Sequence, residues 1–136
     1  MFSHITIGVN DLAHSISFYD VILSQLGLER HSTEESFAGY GEVTSDNEEP
    51  DNTGVNSLWI MKPSNGKEAK GGNGTNIALL AESRDQVDAF YTAAINLGAI
   101  NDGAPAIRND AHDNFYACYV IDFDGNKLVA VCHKRE

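Results

Sequence analysis

Basic side chains are scarce in this chain of 136 residues, where nine lysines and arginines stand against twenty aspartates and glutamates. The resulting net charge of −11 repels a phosphate backbone and an anionic membrane surface. We therefore expect neither nucleic acid nor a membrane as a partner. The charge is compatible with a cationic ligand, as it would be with any soluble acidic protein.

Cysteines and long apolar runs are scarce as well. Cys118 and Cys132 each lie in an apolar segment and do not form the spacing of a disulfide framework, so we expect buried thiols in a reducing compartment. No segment approaches the roughly 18 apolar residues of a membrane span. The first residues also lack the pattern of a signal peptide. These absences predict a cytoplasmic protein, and 42% hydrophobic residues are enough for a packed interior.

What the chain does contain is an internal repeat. The segment HITIGVNDLAHSISFYDVILSQLGL (4–28) aligns with NIALLAESRDQVDAFYTAAINLGA (76–99) at an offset of 72 residues, with one deletion before the shared Leu-Gly. Each copy has the pattern of an apolar strand, a turn and an amphipathic helix. The repeat predicts two versions of one supersecondary unit.

Both predicted helices have start and stop signals. Asp11 and Ser83 are the expected N-caps, and Gln86 completes a capping box in the second copy. Gly27 and Gly98 suit the left-handed residue that ends a helix. The predicted buried stripes are Leu12, Ile16, Tyr19, Leu23 and Leu26 in the first helix, and Val87, Phe90, Tyr91 and Ala94 in the second.

Strand patterns follow each helix. In the second copy, FYACYVIDFDGNKLVAVCHK is two apolar runs joined by an Asp-Gly turn, which predicts a hairpin. SFAGYGEV and VNSLWIMK are the weaker equivalents in the first copy. Each copy is thus a predicted βαβββ module in an α+β fold, in which the two modules form one cupped mixed sheet. We expect a single domain at 1–136, with a module at about 1–63, a linker at 64–74 and a second module at about 75–136.

The repeat and its local sequences together resemble the vicinal oxygen chelate superfamily, which contains glyoxalases, bleomycin resistance proteins and extradiol dioxygenases. YVIDFDGNKLVAV is similar to the Asp-Pro-Asp-Gly-Asn hairpin of that family, with Phe123 in the place of proline. The resemblance covers residues 3–133. It implies a glyoxalase-like fold around a cavity for a small-molecule ligand, and a homodimer.

The resemblance also implies where a metal site would lie, because metal-dependent members take ligands from the first and last strand of each module. Those positions are His4, Trp59, Asn76 and Val129 in this chain. His4 is a strong donor, Asn76 offers a neutral carbonyl oxygen, and the other two offer none. We therefore expect no metal cofactor. The alternative is one divalent ion held by an atypical ligand set that begins with His4.

Several of these residues have ordinary interpretations too. Trp59 could stack on a ligand, but an aromatic residue in SLWIM is more often part of the core. Cys132 and His133 are successive strand residues that face opposite sides, which argues against a Cys–His pair. The acidic loop at 46–51 lacks the ligand spacing of an EF-hand, so a solvated loop is expected there.

The segment around residues 108–119 supplies a second group of candidates near the predicted cavity rim. Arg108 could hold a carboxylate or phosphate through two hydrogen bonds, and a solvated loop with two half-buried tyrosines is an equally good interpretation. No catalytic residue is assigned. The ligand-pocket candidates are His4, Trp59, Asn76, Arg108, His112, Tyr116, Tyr119 and Val129.

Three functions remain open at this stage. The first is a binding protein of the bleomycin resistance type, which sequesters a small molecule without metal chemistry. The second is a metal-dependent lyase of the lactoylglutathione lyase type, or a dioxygenase, in which the ion polarises a substrate oxygen. The third is a non-metal enzyme or regulatory module that uses Arg108, His112 or Tyr116. The sequence favours the first and third, because the second needs donors that are missing.

Overall fold

A computed structural model of the protein describes residues 1–43 and 49–136 and divides them into two compact units. The units are Met1–Lys70 and Gly71–Glu136. Part of the acidic loop expected at 46–51 lies outside the described residues. No described helix is long and apolar enough to cross a membrane.

The described residues of each unit form one helix and four strands. The first unit contains β1 (His4–Gly8), α1 (Leu12–Ser24), β2 (Leu28–Thr33), β3 (Phe37–Glu42) and β4 (Ser57–Met61). The second contains β5 (Asn76–Leu80), α2 (Arg84–Asn96), β6 (Ile100–Ile107), β7 (Tyr116–Ile121) and β8 (Lys127–Cys132). This order confirms the predicted βαβββ modules and the α+β, glyoxalase-like fold class.

The two sheets have the same topology. The strand order is β1-β4-β3-β2 in the first unit and β5-β8-β7-β6 in the second. The first strand of each unit pairs in parallel with the last, and the remaining pairs are antiparallel. Both sheets are therefore mixed, as predicted.

The helix signals act as expected. The carboxylate of Asp11 accepts the backbone N–H of His14 at 3.1 Å, and the hydroxyl of Ser83 accepts that of Gln86 at 3.2 Å. The Gln86 side chain in turn accepts the N–H of Glu82 at 2.7 Å. These bonds satisfy N–H groups that a helix start leaves without partners.

The ends of the helices and the hairpin of the second unit follow the same local rules. Gly27 and Gly98 have φ angles of 76° and 103°, which confirms the predicted left-handed residues after the two helices. In the hairpin, Asp122 accepts the N–H groups of Asp124 and Asn126 at 2.9 and 2.8 Å. The predicted Asp-Gly turn is therefore confirmed.

One face of each sheet packs on the helix of its own unit. The predicted stripes are correct except at Ile16 and Tyr91, which are only half-buried. The reason is that each residue lies at the edge of its buried stripe. The first helix uses Ser15, Phe18 and Ile22 instead. Both cysteines are free and buried, as expected.

The other face of each sheet carries no helix of its unit, and we call it the open face. Because strand residues alternate between faces, the residues that alternate with the buried helix-side residues along each strand lie on the open face. In the first unit it carries His4, Thr6, Phe37, Gly39, Ser57, Trp59 and Met61. In the second it carries Asn76, Ala78, Ala117, Tyr119, Lys127, Val129 and Val131.

Candidate functional site

His4 and Trp59 lie on the same face in the first unit. The parallel pairing of β1 with β4 aligns His4 with Ser57 and Thr6 with Trp59, so the two side chains are diagonal neighbours. His4 is exposed, and its Nδ1 lies 2.9 Å from the hydroxyl of Ser3. Trp59 is half-buried on the open face, whereas the sequence favoured a core position for it.

His31, which is not among the candidates predicted from the sequence, joins Trp59 on this face. It occupies an irregular position in β2, where the register with β3 shifts between Arg30 and Ser32. Its Nδ1 lies 2.8 Å from the Ser32 hydroxyl and its Nε2 lies 3.2 Å from the Ser57 hydroxyl. Its ring meets the Trp59 ring edge to face, with 5.2 Å between centroids.

Two glycines of β3 make room for these rings. A Cβ atom at Gly39 would lie 2.5 Å from the Trp59 ring and 2.8 Å from the His31 ring. A Cβ atom at Gly41 would lie 2.1 Å from the carbonyl oxygen of Asp51 and 3.0 Å from the His31 ring. The shortest distances, 2.5 Å at Gly39 and 2.1 Å at Gly41, are too short for a Cβ atom unless its neighbours move. The alternating glycines in AGYG were therefore the sequence signal that could have pointed to a ring-covered face.

Phe37 completes what we call the aromatic surface, which consists of His31, Phe37 and Trp59. The rings of Phe37 and Trp59 are 5.7 Å apart, and all three side chains are half-buried. Burial lowers the pKa of His31, and the nearby Asp51 carboxylate opposes that shift. The neutral imidazole is thus favoured. The surface can offer flat apolar contact, and both imidazole nitrogens of His31 are already bonded to the hydroxyls of Ser32 and Ser57.

A cavity of about 510 Å³ lies beside β2. The cationic side chain in its wall, Arg30, is already engaged by other residues of the protein. Arg30 makes two hydrogen bonds to Asp20, at 3.0 and 3.1 Å, and a third to Thr33 at 2.6 Å. The hydroxyl of Tyr40 also donates to Asp20 at 2.8 Å. These contacts fasten β2 and β3 to α1, so the group is structural.

In the second unit, Asn76 and Val129 share the open face but have different surroundings. Asn76 aligns with Lys127, and Ala78 with Val129. Asn76 is exposed, whereas Val129 is only 2% exposed in a cluster with Ala117 and Val131. Phe115 and Tyr119 pack against that cluster. Val129 is therefore part of a small apolar core on this face.

The donors at the four positions implied by the resemblance do not fit a divalent metal ion. In the first unit His4 is the strong donor, since the indole N–H of Trp59 cannot ligate. In the second unit Asn76 offers an amide oxygen and Val129 offers nothing. The described residues include no group of three or more His, Cys, Asp or Glu that could hold a metal ion.

The four candidates around residues 108–119 fall into three separate places, because Arg108 and Tyr119 lie together. Arg108 lies over the ring of Tyr119, with 5.3 Å from Cζ to the centroid, and donates to the carbonyl of Ala104 at 2.8 Å. Lys127 lies 5.1 Å from the same ring and pairs with Asp102 at 2.6 Å.

Tyr116 is engaged on the helix side of the sheet. Its hydroxyl donates to Asp88 of α2 at 2.6 Å, and Arg84 lies 5.2 Å above its ring. The bond to Asp88, followed by burial, raises the pKa of Tyr116 to about 12. Structural contacts already occupy this hydroxyl.

His112 pairs with His133, a residue that the sequence analysis considered only with Cys132. The Nε2 of His112 lies 2.8 Å from the Nδ1 of His133, and the rings are stacked at 5.1 Å and 26°. The register of the hairpin explains the pairing. Tyr116 aligns with Cys132, which brings the two flanking segments together.

Comparison with known proteins identifies the family. Residues 1–128 match the family described as the Glyoxalase/Bleomycin resistance protein/Dioxygenase superfamily. The chain belongs to this superfamily, which confirms the resemblance. It is 33% identical to a glyoxalase/bleomycin resistance protein from Albidiferax ferrireducens T118, with 98% of this chain and 99% of that chain covered and a TM-score of 0.81.

More distant structures share the fold alone. A glyoxalase/bleomycin resistance protein/dioxygenase family enzyme from Burkholderia phytofirmans PsJN is 17% identical, with 97% and 98% of the two chains covered and a TM-score of 0.69. The fosfomycin resistance protein FosX from Listeria monocytogenes, in complex with Mn(II) and sulfate, is 18% identical, with 98% and 90% covered and a TM-score of 0.66. A comparison with curated proteins gives no significant match.

Proposed function

We propose that the chain binds a small organic molecule on the open face of the first unit, without a metal ion at the positions implied by the superfamily resemblance. One observation carries the proposal, namely that the aromatic surface of His31, Phe37 and Trp59 lies half-exposed above two glycines. Aromatic side chains on an open sheet face are the kind of surface that ligand sites use. A polar pair, His31 and Ser57, lies at its edge.

The chemistry of the surface favours a flat apolar ligand that carries a positive charge. An indole face attracts a cation more strongly than the other aromatic rings do. The Asp51 carboxylate lies near His31, and hydrogen bonds from the backbone and side chain of Thr53 lower the pKa of Asp51. The net charge of −11 also raises the local concentration of cations. A cationic organic molecule is therefore the ligand class that we infer.

The metal-dependent alternatives, a lyase of the lactoylglutathione lyase type or a dioxygenase, have less support. Members of the superfamily commonly use a divalent ion, but His4, Trp59, Asn76 and Val129 together provide one strong donor. The alternative at 108–119 is also less favoured, because Tyr116 is bound to Asp88 and Arg108 lies against Tyr119. The cytoplasmic location and the homodimer stay predictions, and light scattering of the purified chain tests the latter.

A binding experiment with matched histidine variants tests the proposal. Isothermal calorimetry would screen compounds that carry a planar group and a positive charge, bleomycin among them, against the chelator-treated chain. For a compound that binds, His31→Ala should weaken binding roughly tenfold, because it removes one of the three rings of the surface. His14→Ala is the control, since His14 is exposed on α1.

Two results would contradict the proposal. One is binding that is equally strong in wild type, His31→Ala and Trp59→Leu, which would place the ligand elsewhere. The other is binding that appears only after a divalent ion is restored and disappears in His4→Ala. Circular dichroism of each variant ensures that a loss of binding is not a loss of fold.

A further inference from the structure

We propose that His112 and His133 bind one divalent transition-metal ion of the nickel, copper or zinc type. This site is independent of the aromatic surface and of the four positions that the superfamily resemblance implies. Two imidazole nitrogens from separate segments, the loop before β7 and the residue after β8, approach to 2.8 Å. Both histidines are exposed, so an ion from solution can reach them.

The geometry is close to that of a two-histidine chelate. Zinc–nitrogen bonds of about 2.0–2.1 Å at a tetrahedral angle place two ligating nitrogens roughly 3.3 Å apart. The pair must therefore open by only about half an ångström from its hydrogen-bonded distance, which a small rotation of exposed side chains provides. Water would occupy the remaining coordination positions.

The rings are already oriented before an ion binds. Phe115 meets His112 edge to face at 5.5 Å and His133 at 5.2 Å between centroids. Packing against one aromatic ring limits the rotamers of both imidazoles. Less entropy is then lost when they ligate, which is the advantage of a preorganised site.

The hydrogen bonds define the protonation pattern of the ion-free pair. The N–H of Asn114 donates to the Nδ1 of His112 at 3.1 Å, so the neutral ring of His112 carries its proton on Nε2. That proton is donated to the Nδ1 of His133, whose own proton is then on Nε2. The lone pair on the Nδ1 of His133 already points toward the Nε2 of His112, although it accepts a hydrogen bond there.

Metal binding requires one proton to move and two hydrogen bonds to break. The proton of His112 must move from Nε2 to Nδ1, which breaks the bond from Asn114 and the bond to His133, while no net proton is released. Loss of each such bond lowers affinity by about fivefold. Asn114 is in a loop, so water can replace its partner. The amide resonance of Asn114 should therefore shift when the ion binds, because its N–H loses the hydrogen bond to His112.

The donor type selects the class of ion. Imidazole nitrogens suit nickel, copper and zinc, whereas magnesium and calcium require several oxygen donors. The loop also contains Asp110 and Asp113, two carboxylates that attract cations without being required as ligands.

Calorimetry with Ni²⁺, Cu²⁺ and Zn²⁺, each added to the untagged full chain in a non-coordinating buffer, tests the inference. We expect one ion per chain, and binding roughly tenfold or more weaker in His112→Gln and in His133→Gln. His14→Gln and His4→Gln are the matched controls and should bind as wild type does. In an amide NMR titration, the Asn114 resonance should move with the same saturation.

Three outcomes would overturn the inference. They are the absence of saturable binding for all three ions, binding that survives both His112→Gln and His133→Gln, and saturable binding with an unmoved Asn114 amide. A loss in His4→Gln alone would place the ion at the superfamily position instead. That result would contradict the proposed function as well, whereas each of the three outcomes above contradicts this inference alone.

Discussion

The two units share a topology, but their open faces are built differently. The pairing of β3 with β4 places Gly39 opposite Trp59, and the equivalent pairing of β7 with β8 places Tyr119 opposite Val129. The large residue of the pair is on the last strand in the first unit (Trp59) and on the neighbouring strand in the second (Tyr119). In the first unit the result is a half-exposed ring above a glycine, and in the second it is a valine that is 2% exposed.

This difference shows how one supersecondary unit can serve two purposes. A face with glycine opposite tryptophan leaves ring surface available to a ligand, at the cost of an open apolar patch. A face with tyrosine opposite valine covers its own apolar surface. The backbone topology is the same in both, so side-chain size at one cross-strand pair decides which open face exposes ring surface.

The largest effect should come from placing a charge at Val129 and, for comparison, at the equivalent residue of the first unit, Trp59. Val129→Glu should lower the free energy of unfolding by about 3 kcal/mol or more, because the carboxylate enters a buried apolar cluster. Trp59→Glu should cost less, because residue 59 reaches solvent. Urea unfolding followed by circular dichroism measures both. Equal losses would show that the two faces do not differ in burial.

A double-mutant cycle tests the steric part of the comparison. Gly39→Ala should cost about 1–3 kcal/mol, since its Cβ would overlap the Trp59 ring. The same substitution in a Trp59→Val background should cost much less, because the ring is gone. The measurement is again urea unfolding of the four chains. Additive costs would mean that Gly39 is needed for another reason.

The smallest effect concerns pH and His31. Burial lowers its pKa in the folded state, whereas the unfolded chain has an ordinary value of about 6.5. The unfolded chain therefore binds more protons as pH falls through about 6.5, and the folded state loses stability there. Melting temperatures at about pH 7.5 and about pH 5.5 should differ more for wild type than for His31→Gln. His14→Gln is the control, and an unchanged difference in His31→Gln would contradict the assignment.

Local signals in the sequence predicted the architecture well. The caps at Asp11 and Ser83, the glycines after each helix and the Asp-Gly hairpin all act through residues a few positions apart. The internal repeat then placed equivalent strands in both units. Misplaced burial at Ile16 and Tyr91 reflects the limit of a periodic pattern, which identifies a buried stripe better than its edges.

The candidate sites were harder to predict because they depend on contacts between distant segments. His31 reaches Ser57 across 26 positions, from a bulge in β2 that no local pattern shows. His112 meets His133 across 21 positions, and only the full hairpin register brings them together. The role of Tyr116 depended on Asp88 in the preceding helix.

Trp59 is the only tryptophan in the sequence, so its fluorescence gives the most direct test of the central claim. A planar cationic ligand would be titrated into the chain in the presence of a chelator, and again after addition of a divalent ion. We expect a saturable change in Trp59 emission with the same affinity in both conditions. Saturable binding that leaves Trp59 emission unchanged, or a response that requires the ion, would contradict it.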